Sequence, residues 1–176
     1  MTTTTAWEAI QAQLDQLEKP VHTLKLCKDA DVRDRYLTAR QEAERTADYL
    51  KQLPKDADPD ARALVDNEHK TAQAELRSAQ KAYDAATITL RFTALERKEL
   101  ERLQRDNPAS EQDEANGDDY AMDTFAPALI AAASLDGMPI DAARKYLDTW
   151  SPADARALWQ AAWSIQHQQR TDLGKG

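Results

Sequence analysis

At 176 residues, with 41% apolar and 31% charged side chains, the chain is long enough for one buried core and short for two full domains. Four glycines are too few for a loop-rich or sandwich protein, and the excess of alanine, glutamine, glutamate and arginine favours helix, so the expected fold class is mainly α. A net charge of -8 argues against an electrostatic grip on nucleic acid, and the single cysteine, Cys27, excludes an internal disulfide and, with three scattered histidines, offers no metal-ligand spacing.

Residues 1–20 read as one N-terminal amphipathic helix, with Trp7, Ile10, Leu14 and Leu17 in a stripe that Pro20 stops. Neither a basic segment leading into an apolar one nor a run of about 18 apolar residues is found, so the expectation is a protein of a reducing cytoplasm with no membrane partner.

Residues 21–93 read as strand, antiparallel helical hairpin and strand. Val32, Tyr36, Ala39, Ala43, Thr46, Leu50 and Leu53 recur in steps of four and three, a heptad seam. Pro54 to Pro59 break it with a turn, and a second seam follows at Ala61, Val65, Ala72, Leu76, Ala79, Tyr83 and Ala86, interrupted around Glu68 and His69. Antiparallel partners should have position numbers of constant sum. Leu50 with Val65, Ala43 with Ala72, Ala39 with Leu76, Tyr36 with Ala79 and Val32 with Tyr83 all share one sum, several setting a large side chain against a small one. An antiparallel coiled coil within one chain is therefore expected over a parallel dimer. Arg33, Arg40, Glu42, Glu44, Arg45, Asp48 and Lys51 read as its solvated face.

The hairpin's ends are flanked by Val21 to Cys27 and Thr87 to Phe92, both alternating and β-branched. An even sum would align His22, Leu24 and Leu26 with Ile88, Leu90 and Phe92 on one face of a short two-stranded element at the hairpin's base. Residues 94–170 then form a compact C-terminal helical module. It opens with a helix over Ala94 to Arg105, followed by an acidic loop, residues 106–119, with six acids and no base. The spacing of Asp113, Glu114, Asp118 and Asp119 lacks the alternation of a calcium site. Asp123 or Thr124 can cap the next helix with Pro127 in its first turn, Ile140 to Leu147 give a short one, and Ser151, Pro152 and Asp154 announce the last. The expected core is Phe125, Leu129, Ile130, Leu135, Ile140, Leu147, Leu158 and Ile165. On the last helix the apolar arc is wider than packing needs, and Trp159 and Trp163, one turn apart, are the candidate partner-binding residues. Residues 171–176 are a tail.

Phe92, Leu95, Arg97, Glu99 and Leu103, then Asn107 and Pro108, then Asp123 to Ala131 (DTFAPALIA), and Trp159 with Ala162 together resemble the tail assembly chaperones of long-tailed bacteriophages, particularly those of actinobacterial hosts. Lys19 to Cys27, KPVHTLKLC, resembles the strand that opens that family's hairpin; the acidic loop departs from the paired prolines expected there. The resemblance implies a non-enzymatic factor of the host cytoplasm, absent from the mature virion, that binds the tape measure protein, keeps it soluble and helps recruit tail tube protein. It further implies a programmed frameshift and a longer form of the chain as partner, for which Gly174 and Lys175 could be encoded by a slippery run. The rival reading is a structural phage tail component or a coiled-coil adaptor. Against an enzyme stands the lack of a GxSxG, HExxH, phosphate loop or Cys-His pair at informative spacing; catalytic, cofactor and metal residues are expected to be none.

Overall fold

The computed structural model describes residues 5–168; the 171–176 tail, with the Gly174 and Lys175 pair, lies outside them. Among the described residues the order is α1 (Ala6–Leu14), β1 (Val21–Cys27), α2 (Ala30–Gln52), α3 (Pro59–Ala86), β2 (Thr87–Thr93), α4 (Arg97–Asp106), α5 (Glu111–Asn116), α6 (Met122–Ala133), α7 (Ile140–Thr149) and α8 (Pro152–Ser164), closed by a 3-10 turn, Ile165–His167. The protein is mainly helical with one small two-stranded antiparallel sheet. It divides into two compact units, Lys25–Thr89 and the segments on either side of it, so that both divisions fall inside a strand.

The Lys25–Thr89 unit is built on α2 and α3. Asp29 caps α2 by accepting the Val32 N–H at 3.1 Å, and Pro59 starts α3 where its missing N–H costs nothing. Every seam residue named for α2 is buried or half-buried, as is every one named for α3 except Ala61, while the charged face is exposed. The helices pack on each other and run in opposite directions: Arg35 meets Glu75 at 2.8 Å near one end, and Thr46 meets His69 at 3.0 Å further along. The interruption at His69 is thus a polar layer. Thr46 is buried, with its hydroxyl within hydrogen-bonding distance of both the Ala43 carbonyl, at 3.1 Å, and the His69 Nδ1. Tyr36 stacks on Tyr83 with centroids 4.5 Å apart, one turn away from the expected Tyr36 to Ala79 and Val32 to Tyr83 pairings. The cause is direction: side chains lean toward their own helix N-terminus, and in antiparallel helices these two lean toward each other.

The other unit gathers α4, α6, α7 and α8 around Phe92, Phe125, Leu129, Ile130, Leu158 and Ile165, all at 2% exposure or less. Ala133, Ala143, Ala161 and Ala162 let the helices approach. The core face of the strands carries Leu24, Leu90 and Phe92, whereas His22 and Ile88 are exposed. Backbone bonds from Ala94 to Pro20 at 3.4 Å and from Lys28 to Ala86 at 3.1 Å, one in each unit, keep the even register.

Several expectations are corrected. The N-terminal helix stops at Leu14, and Trp7, Ile10, Leu14 and Leu17 lie open at 49–61% exposure, so an amphipathic stripe is present but buries nothing. Residues 106–119 are not a plain loop: Ser110 and Asp113 form a reciprocal capping box, the acids occupy the positive end of α5, and Gly117 ends it with φ +86. Pro108 then bridges to Tyr120. Neither Asp123 nor Thr124 caps α6, which begins at Met122 with Pro127 in its interior; the carbonyl deprived of a donor is that of exposed Asp123, where water can serve. Leu135 and Ile140 are exposed at 46% and 41%, because Leu135 follows the last turn of α6 and Ile140 opens α7. Leu147 is half-buried against the core, and the α4 helix starts three residues later than expected.

Candidate functional site

The last helix begins as its sequence reads: Ser151 accepts the Asp154 N–H at 3.2 Å, and Pro152 follows the cap. Helix geometry then places Trp159 and Trp163 one turn apart, stacked with centroids 5.2 Å apart and planes at 17°. Phe125 meets both edge-on at 6.0 and 6.1 Å, Tyr120 lies 4.2 Å from Phe125 and 5.8 Å from Trp163, and His167 closes the row 4.3 Å from Trp163. Phe125 is fully buried, but both tryptophans are only half-buried. Each indole therefore does two things: one part fills the core, and the other faces outward. Burial, and then the nearby Asp119 and Asp118 carboxylates, push the Tyr120 phenol above its ordinary range.

Trp159 also lines a groove of about 800 Å³ between α6, α7 and α8. Its apolar wall is Met122, Ala126, Pro127 and Leu147; its charged rim is Asp123 and Asp148 with Arg144 and Arg156. Trp163 is absent from that lining, so the two candidate residues share an aromatic row but not the groove. A proline inside α6 helps shape this wall, since Pro127 leaves α6 with a ring where an N–H would be. The groove itself was hidden from the sequence. Its residues come from three helices whose crossing no periodicity reports, although Arg156 three places before Trp159 marks a polar edge beside an apolar one.

The frame behind the site is fixed by two polar contacts. Asp136 accepts from the Arg91 amide at 2.7 Å and from its guanidinium at 2.7 and 3.1 Å, and the Leu135 N–H donates to the Arg91 carbonyl at 2.9 Å. The α6–α7 connection is thereby held to β2. At the other end Gln166 accepts the Leu95 N–H at 2.8 Å and donates to the Thr93 and Ala162 carbonyls at 3.2 and 2.9 Å. Among the described residues no group of three or more His, Cys, Asp or Glu side chains is placed to hold a metal ion, and no helix is long and apolar enough to cross a membrane. Trp159 and Trp163 thus present a partly exposed aromatic surface beside a groove with an apolar wall and a charged rim. Comparison of the chain with family models, curated proteins and solved structures yields no match.

Proposed function

We propose that this protein is a tail assembly chaperone of a long-tailed bacteriophage, acting in the host cytoplasm and leaving before the virion is complete. In this reading it binds helical segments of the tape measure protein, keeps them soluble and helps bring tail tube subunits to them, with a frameshifted longer form of itself as an additional partner. It carries no catalytic role and needs neither cofactor nor nucleic acid. The α2–α3 pair serves as an antiparallel coiled coil in the register of Ala43 facing Ala72.

The observation that carries the proposal is the half-buried stack of Trp159 and Trp163 on a helix that follows the DTFAPALIA segment. A holdase for a long apolar helix needs aromatic surface that is rigid yet reachable, and rigid aromatics dominate helix-in-groove contacts. Single substitutions Trp159→Ser and Trp163→Ser, first screened for unchanged helicity and melting temperature, should lower the fraction of co-expressed tape measure protein that stays soluble. Full solubilisation by every well-folded variant would move the contact away from this surface. Mass spectrometry of purified virions should lack the chain; finding it there in stoichiometric amount would favour a structural tail component instead.

A further inference from the structure

We propose that the outer edge of β1 pairs with β1 of a second copy, the two strands running antiparallel about a two-fold axis so that both sheets become one. The ladder with β2 fixes which backbone groups are free. Ala94 donates to Pro20 at 3.4 Å and Lys28 to Ala86 at 3.1 Å, so the even-numbered residues of β1 exchange bonds with β2. The N–H and C=O groups of Val21, Thr23, Lys25 and Cys27 therefore point the other way. Among the described residues these groups make no backbone bond outside the ladder, and β1 has no strand on that side. Val21 is 52% exposed, Thr23 and Lys25 are exposed, and Cys27 is half-buried. The far edge of β2 is treated differently. There the Arg91 N–H reaches Asp136, the Arg91 carbonyl accepts from Leu135, Ser134 bridges to Phe92, and Gln166 donates to the Thr93 carbonyl. The fold covers one edge of its sheet and leaves the other open.

A row of main-chain donors and acceptors at strand spacing is met by another strand, and β1 itself matches this one end to end. With the axis at Leu24, Val21 lies opposite Cys27 of the second copy and Thr23 opposite its Lys25. All of these have outward N–H and C=O groups, so each pair exchanges both bonds. One face of the joined sheet then sets Val21 against Cys27 and Thr23 beside the lysine stem; on the other, half-buried Leu24 meets its own equivalent. Lys25 is the kind of charge that guards an edge, and here it selects the register. Moving the axis to Lys25 would set two ammonium groups face to face, and a slip of one residue would oppose outward groups to groups already bonded to β2. Because a patch meets the same patch, the contact is isologous and closes at two copies. A strand of 7 residues gives a small interface, and hence a weak, concentration-dependent dimer.

Sedimentation of the full chain from about 10 μM to about 1 mM tests this, in about 0.15 M salt to screen the net charge of -8. The mass-average should rise toward two chains and not pass it. Thr23→Pro removes an outward N–H and no ladder bond, which an edge strand tolerates, so the melting temperature in dilute solution should hold while association weakens about tenfold or more. If Thr23→Pro alters folding, charge at the same exposed position takes its place: Thr23→Lys, opposite Lys25, should weaken association and Thr23→Glu should strengthen it. Val21→Cys reads the register. Opposed residues of a bonded pair lie about 5.5 Å apart, within disulfide reach, so position 21 should link to Cys27 of the second copy under mild oxidation. Within one chain the two positions stand at opposite ends of β1 and cannot meet. Wild type monomeric throughout, growth past two chains, association indifferent to the substitutions at Thr23, or failure of position 21 to link to Cys27 would each overturn the proposal.

Discussion

Asp136 shows what one side chain contributes at the residue scale. The hydrogen bonds from the Arg91 guanidinium and amide hold its carboxyl below the usual carboxylate range. A depressed folded-state value adds stability that is fully present above the ordinary carboxylate range, about pH 4, and is lost as pH falls through the depressed value. Asp136→Asn should thus melt below wild type at neutral pH, with the gap closing in acid; a gap constant from pH 7 to pH 2 would show that the ion pair is not its source. Leu129 is fully buried at the centre of the core, and Leu129→Ala should cost about 2 to 5 kcal/mol in denaturant unfolding. A smaller effect belongs to Ser151→Ala: it removes the α8 cap and should cost about 1 kcal/mol.

At the scale of elements, what could be read in the chain was whatever a single period or a local pattern specifies. The seams of α2 and α3 follow from steps of three and four, β1 and β2 from alternation, and the start of α8 from Ser151 and Pro152. Elements decided by a second segment were not legible. Leu135 and Ile140 have core chemistry, yet they stand where the backbone leaves α6 and enters α7. Phe92 reads as one strand residue among several but is fully buried, because it joins the core that Phe125, Leu129 and Leu158 build from later helices. The α5 turn is the opposite case: Ser110 with Asp113 is a local cap that six acids in one stretch obscured. For the site, the tryptophan pair was readable from spacing, while the groove beside it needs three helices to exist. The hairpin register is open to a direct check. Cysteines at Ala43 and Ala72, in a Cys27→Ser background, should crosslink within one chain under mild oxidation, whereas crosslinks only between chains would mean a parallel dimer.

For the molecule as a whole, two compact units imply that damage to one need not reach the other. In Leu129→Ala, amide exchange should quicken through α6, α7 and α8 while the seam amides of α2 and α3 keep their wild-type protection. Equal loss of protection in both would show that the chain unfolds as one body. At this scale the net charge of -8 opposes the close approach of like molecules.

Gln166 carries a consequence for time as well as for space. Its amide supplies partners to Leu95 and Thr93, residues made more than seventy positions earlier, when neither could yet be satisfied by the chain. During synthesis the α2–α3 pair can close as soon as it emerges, but the exit of β2 stays unfinished until Gln166 has been added, long after β2 itself. A chain that stops before Gln166 therefore leaves the Leu95 amide and the Thr93 carbonyl without the partner that Gln166 supplies.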